Sequence, residues 1–259
     1  MARPRNEELK EKIRREAWAL FHRVGYDAAS FTLIAQACGI SRNLVQYHFP
    51  KKELLAIDLM NRVLEQASCE LGFSQAQPGA GASASMQAPD GGRAEGRGAE
   101  GGEGRTRDGA EEHPLMPAGD FAAMHAIGSC FFGYFLRDEG WRRFLLDIIS
   151  SRDLTESVLA FNARWAIDHS GVEMTEELSD KVLRSVIVQM GGFYELLYSR
   201  LKSGRPFDAG EELLEVMRAF MRALGLSGSK ADEILERRAA GEEQIAQAVE
   251  RMACALAFE

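Results

Sequence analysis

The sequence predicts an all-α protein, and three observations carry that prediction. Apolar residues recur three and four positions apart through most of the chain, the spacing of one buried helix face. No segment alternates apolar and polar residues as a half-buried strand does. Serines and glycines fall where such helices would start and stop.

The first helix is expected from Asn6, as its N-cap, to Val24, with Leu9, Ile13, Ala17, Leu20 and Phe21 on its buried face and Gly25 ending it. Ser30 caps a second helix whose inward residues are Phe31, Ile34, Ala35 and Cys38. Gly39 supplies a tight turn and Ile40 an apolar anchor. Ser41 caps a third helix, closed against the core by Phe49. A fourth runs from Pro50 or Lys51 to about Leu71, with Leu54, Leu55, Ile57, Leu59, Val63 and Leu64 on its apolar face.

The pattern then breaks. Residues 72–119 hold 12 of the 25 glycines and 4 of the 7 prolines, with no aromatic residue, Leu, Ile or Val between Ser74 and Pro114. A segment of that composition cannot bury enough apolar surface to offset its ordering entropy, and it reads as a disordered spacer. From Asp120 the helical spacing returns, with helices expected at 120–137, 140–150, 155–169, 175–203, 207–225 and 230–257. Gly191 and Gly192 lie inside the longest of these, where glycine costs about 1 kcal/mol relative to alanine, so close approach of another helix is expected there. Ile245, Val249, Met252 and Leu256 form a stripe that needs a covering surface, in its own domain or a second subunit.

Composition excludes several classes of protein. No run of about 18 apolar residues occurs, so no membrane span is expected. Cys38, Cys69, Cys130 and Cys254 are scattered without paired spacing, which argues against a disulfide framework or zinc site and fits a reducing cytoplasm. His125 and His169 lack the i, i+4 partner of a helical metal site, so no metal is expected. The GGRAEGRG stretch lacks the Lys-Ser/Thr of a phosphate loop, and no Ser, Cys or Asp stands in a recognisable nucleophile setting. Neither an enzyme nor a cofactor is expected.

Charge points to a partner. The net charge is −8, yet residues 1–52 carry ten Lys and Arg against five Asp and Glu, a net +5, and the remainder carries −13. A basic end on an acidic body directs its field at phosphate. The two short helices at 31–48 have the layout of a helix-turn-helix, whose second helix enters the DNA major groove. Arg42 suits guanine O6 and N7, while Asn43 and Gln46 suit adenine N6 and N7. Tyr47, His48, Lys51 and Lys52 stand where the DNA backbone would pass. Ser30 and Thr32 are placed to donate to phosphates at the start of the second helix. Arg3 and Arg5 form a basic arm ahead of the first.

These residues resemble the TetR family of bacterial transcription regulators over positions 9–55. The resemblance rests on ALFHRVGYDAAS (Ala19–Ser30), the Ile34–Ala35 pair, the Gly39–Ser41 turn and YHFPKKELL (Tyr47–Leu55). It implies a homodimer whose 1–52 helix-turn-helix domain binds a palindromic double-stranded DNA operator. Residues 53–71 would be a connecting helix, and 120–259 an effector-binding and dimerisation domain with its dimer helices near 175–203 and 207–225. It implies a repressor released by a small apolar or aromatic effector. Arg42, Asn43, Gln46, Tyr47, His48 and Lys52 fall on the family's DNA-facing positions. Asn43 stands where glycine or proline is frequent, Gln46 replaces a common tyrosine, and Leu44 stands where threonine usually touches DNA. Leu44 has a thymine methyl or a sugar within its chemistry, so the operator sequence is this chain's own. The 72–119 insert interrupts the connection after the fourth helix. Met124, Cys130, Tyr134, Trp165, Met190 and Tyr194 are the candidate effector lining, chosen from aromatic and sulfur side chains that otherwise read as plain core. Two other readings stay open: a DNA-binding regulator switched by a protein docking on residues 230–257 and the insert, and a dimeric scaffold that does not bind DNA.

Overall fold

A computed structural model describes residues 4–73, 118–168, 175–223, 226–237 and 240–256. Most of the glycine-rich insert (74–117), His169, and the side chains of Arg3, Arg5, Phe161 and Trp165 lie outside what it describes. Among the described residues every regular element is a helix: α1 (Pro4–Val24), α2 (Phe31–Cys38), α3 (Arg42–His48), α4 (Lys52–Glu70), α5 (Ala118–Leu136), α6 (Glu139–Ser150), α7 (Arg152–Asp168), α8 (Glu176–Ser203), α9 (Ala209–Ala223), α10 (Gly228–Glu236) and α11 (Glu242–Ala255).

Helix α1 begins at Pro4, two residues before the expected cap, so Asn6 and Arg5 lie inside the helix. Proline fits a first turn because its missing N–H has no partner to lose there. The buried face is as expected, with Ile13, Ala17 and Phe21 fully enclosed. Charge ties α1 to α4. The guanidinium of Arg14 donates to both carboxylate oxygens of Asp58 at 2.7 and 3.0 Å. Arg62 donates to Glu11 at 2.7 Å, and that hydrogen bond holds the Glu11 carboxyl below its ordinary range against the opposing effect of burial.

The head formed by α1–α3 is not cored separately from the body. One apolar cluster runs from Ile13 in α1 to Leu256 beyond α11. Its centre is aromatic: Trp18 of α1 lies 4.1 Å, centroid to centroid, from Trp141 of α6, and Phe21 lies 5.4 Å from Phe144. Arg143 of α6 donates to the carbonyls of His22 and Arg23 at 3.2 and 2.8 Å, satisfying acceptors that the end of α1 leaves open. His22 Nε2 lies 3.0 Å from Asp138 Oδ1.

This junction needs a glycine. A Cβ on Gly140 would stand 2.5 Å from the His22 carbonyl oxygen, which is fixed backbone. Gly140→Ala is therefore expected to cost about 1–3 kcal/mol by overpacking. Thermal denaturation followed by circular dichroism checks this, with a melting temperature lowered by several degrees as the expected result. An unchanged midpoint would mean that α6 is free to slide on α1.

Two expectations about the body are corrected. The single helix expected over 230–257 is two. Gly241 is extended (φ −77°, ψ 165°), and its N–H donates to Gln244 Oε1 at 2.9 Å, which starts α11 afresh. The two pieces also bury against different cores. Ala231, Ile234 and Leu235 of α10 join a smaller cluster with Phe121, Val182, Val186, Phe220 and Met221. Ala248 and Met252 of α11 join the main cluster, against which Ile245 and Val249 pack. Met252 and Leu256 of the α11 stripe are thus enclosed by their own chain, and Ile245 and Val249 are partly covered by it.

The second correction concerns α8. Among the described residues a Cβ at Gly191 or Gly192 would meet nothing within 4 Å, so no described side chain approaches there. The two glycines instead continue an outward stripe. Five large apolar side chains are exposed among the described residues, and three of them, Leu183, Ile187 and Val188, sit on the two preceding turns of α8. The other two, Leu33 and Tyr47, belong to the head.

Candidate DNA-binding face and effector cavity

The helix-turn-helix is built by local rules. Ser30 is extended, and its Oγ accepts from the Leu33 N–H at 3.2 Å; Ser41 Oγ accepts from the Leu44 N–H at 3.3 Å. Between them Gly39 takes a left-handed conformation (φ 65°, ψ 34°), which glycine adopts without a Cβ penalty. The Ile40 N–H then reaches back to the Ala35 carbonyl at 3.0 Å, closing α2 and turning the chain. Ile34, Ala35 and Cys38 of α2 and Val45 of α3 are buried, so only one face of α3 is left outward. Phe49 closes α3, and Pro50 disfavours its continuation.

That outward face carries Arg42, Asn43 and Tyr47, all exposed, with Leu44 and Gln46 half-buried beside them. Tyr47 is 72% exposed, the most of any large apolar side chain described. Ser30, Thr32 and Lys51 are exposed at its edges. Leu33 of α2 is also exposed, and the inward set at 31, 34, 35 and 38 already marks it as a position facing away from the core.

Two of the residues selected from sequence are turned inward. Lys52 donates its ammonium to the carbonyls of Tyr26 at 2.7 Å and Asp27 at 3.4 Å, and it lies 4.0 Å from the Tyr26 ring centroid. Its charge holds the α1–α2 turn. His48 has a buried Nε2 with no hydrogen-bond partner. Burial, and then nearby Lys10, push its pKa down, so near neutral pH it does not add a cation to the face.

In the body, α5, α8 and α9 enclose a cavity of about 80 Å³, walled also by Leu64 of α4 and Asn162 of α7. Met124 and Met190 line it. Cys130 and Tyr134 do not. Cys130 is packed under α11, its Sγ 3.9 Å from the Ile245 carbonyl, and burial pushes its thiol up to about 12. Tyr134 belongs to the Trp18–Trp141 cluster, with the Arg137 guanidinium 3.8 Å from its ring centroid. Tyr194 stands one shell back, accepting a hydrogen bond at 2.6 Å from the Asn162 amide. Asn162 and Gln189 are the polar side chains of an otherwise apolar lining. Sequence reasoning passed over both because a lone carboxamide on a helix carries no spacing signal.

His125 is hydrogen-bonded to the Gly210 carbonyl at 2.9 Å. Among the described residues no three His, Cys, Asp or Glu side chains are grouped to hold a metal ion, and no helix is long and apolar enough to cross a membrane.

Residues 13–59, from the middle of α1 into α4, match the family model of bacterial regulatory proteins, tetR family. None of the curated proteins compared with the chain matches it significantly. The match identifies α1–α3 as the DNA-binding head of a transcription regulator.

Proposed function

We propose that this chain, which carries the N-terminal helix-turn-helix domain of the TetR family, is a homodimeric cytoplasmic repressor of a palindromic operator, released by a small apolar effector. The observation that carries the reading is the outward face of α3. A seven-residue helix, capped at one end by Ser41 and closed at the other by Phe49, presents Arg42, Asn43 and Tyr47 to solvent from a head of charge +5. Arg42 reads guanine and Asn43 reads adenine in the major groove, while Tyr47, Lys51, Ser30 and Thr32 grip the backbone. Leu44 and Gln46 serve at the margin of the face.

The α8 stripe supports a dimer, because Leu183, Ile187 and Val188 lie exposed on a helix whose next turn is Gly191–Gly192. Two heads related by a twofold axis then meet half-sites roughly 34 Å apart. The lining of the cavity supports a neutral effector, its apolar walls gripping the body and Asn162 or Gln189 orienting one polar group. At about 80 Å³ the cavity must widen to admit a ligand of more than a few heavy atoms. Leu64 couples the two sites. It lies on α4, the helix that follows the head, so a ligand that prefers one position of α4 shifts the heads with it.

A protein switch acting on residues 230–257 is less well supported, since α10 and the Ala248–Met252 part of α11 bury their apolar side chains against their own chain.

The deciding experiment is selection of bound duplexes from random DNA by the purified protein, followed by a salt titration on the winning sequence. An enriched palindrome whose log affinity falls steeply and linearly with log salt is expected. Absence of any enriched sequence would sink the repressor reading in favour of the scaffold.

A further inference from the structure

We infer that a second cleft, between α5, the α8–α9 connection and α11, binds a small organic cation with an apolar body. The cleft measures about 560 Å³, within the range of small-molecule sites. It is distinct from the effector cavity, because α5 and α9 present different faces to the two. Ile127, Phe131 and Leu213 face the cavity, while Ser129, Gly133 and Leu214 face the cleft.

Its chemistry has two independent parts. The floor is apolar, made by Leu136, Phe207, Ile245 and Val249, and it is deepened at Gly133, where a Cβ would stand 3.1 Å from Val249. The rim is acidic, and no Lys or Arg lines it. Asp208 is accounted for by capping α9, its Oδ1 accepting from the N–H groups of Gly210 and Glu211. Glu242 at the start of α11 also lines the rim and is engaged in an interaction of its own, whereas Glu211 on α9 and Glu250 on α11 have no such role. Neither side chain has a hydrogen-bond or ion-pair partner among the described residues, and both line the opening.

The same body provides the contrast. A groove of similar size between α9 and α10, about 530 Å³, also carries acidic side chains. There Asp232 and Glu215 are both paired with Arg218, and Arg222 adds a second cation. Where this protein leaves two carboxylates of a groove unpaired over an apolar floor, an ammonium with a hydrocarbon or aromatic body is the complementary ligand. Carboxylates attract the cation, and the floor takes the apolar part.

The test is calorimetric titration of the full-length protein with 4-phenylbutylamine, a cation near neutral pH, and with its neutral counterpart 4-phenylbutanol. The amine is expected to bind at one site per chain, about tenfold more tightly than the alcohol, with a preference that falls as salt rises. The E211Q/E250Q double variant keeps the shape and should lose that preference. Ala246→Arg, at an exposed cleft position of α11, should abolish amine binding by placing bulk and positive charge in the opening. The inference is overturned by equal binding of amine and alcohol, by no binding up to about 1 mM, or by a preference that survives in either variant. No DNA enters the measurement, so its failure is separable from failure of the repressor reading.

Discussion

Replacing Arg42 with alanine is expected to weaken operator binding about 5- to 150-fold, the range of about 1–3 kcal/mol for a bidentate contact to guanine. Discrimination should relax at one base pair of each half-site. Tyr47→Ala is expected to weaken all sequences alike, because a backbone contact positions the protein without reading it. Neither change should disturb the fold. Arg42 is exposed, and Tyr47 is 72% exposed with its ring against only His48, so stability should stay within about 0.5 kcal/mol of the parent. Lys51→Ala should lower the slope of log affinity against log salt by about one. Lys52→Ala should behave differently. Its ammonium is bonded to the Tyr26 and Asp27 carbonyls, so the loss should appear in the melting temperature before it appears in the salt slope. Fluorescence anisotropy on the selected duplex, beside thermal melts of the same samples, separates these outcomes. Wild-type affinity in the R42A/Y47A double variant would leave α3 as a structural helix and move the DNA contact to another surface of the chain.

The head was legible in sequence because its determinants are local. Ser30 and Ser41 cap helices three residues away, Gly39 takes the one left-handed turn between them, and Phe49–Pro50 ends α3 within a residue of the expected place. Spacing also placed Lys52 and His48 near the DNA side, but it does not report where a flexible side chain ends. Lys52 curls back to a turn 25 residues earlier, where its ammonium meets two backbone carbonyls. The body was legible only as helices. Helix α5 buries Phe121, Ala122, Ile127, Cys130, Phe131, Phe132, Tyr134 and Phe135, which lie around its whole circumference, so periodicity names no face and a lining chosen by residue type is scattered. Met124 and Met190 reach the cavity, while Cys130 turns to α11 and Tyr134 to the head. The head–body junction was invisible for a related reason. Gly140, Arg143 and Trp141 meet α1 across about 120 residues of sequence, and nothing local in α6 names its partner.

Glutamate at Ile187 and Val188 is expected to convert the protein to a monomer and to lower its affinity for a full palindrome about 10²–10⁴-fold, the loss of a linked second binding event. The argument starts from where this chain leaves apolar surface. Among the described residues of the body the exposed large apolar side chains are Leu183, Ile187 and Val188, with Val188 67% exposed and Ile187 47% exposed on one stripe of the longest helix. The stripe continues into Gly191 and Gly192, where none of the described residues occupies the space that a methyl would fill. A partner copy of α8 crossing at those glycines would approach closely, which gives a pair of helix-weakening residues a use that the single chain does not supply. Two buried carboxylates without counter-charges would then oppose association strongly, while on a free surface they would cost almost nothing. Gly192→Ala tests the same point with the smallest possible change. On a solvent-facing helix it should stabilise the protein by about 1 kcal/mol through helix propensity alone; at a close crossing it should weaken the dimer instead. Sedimentation velocity of both variants, with thermal melts of the alanine variant at two protein concentrations, reads both effects. A double-glutamate variant that still sediments as a dimer, with a Gly192→Ala variant that melts higher at every concentration, would move the dimer interface away from α8.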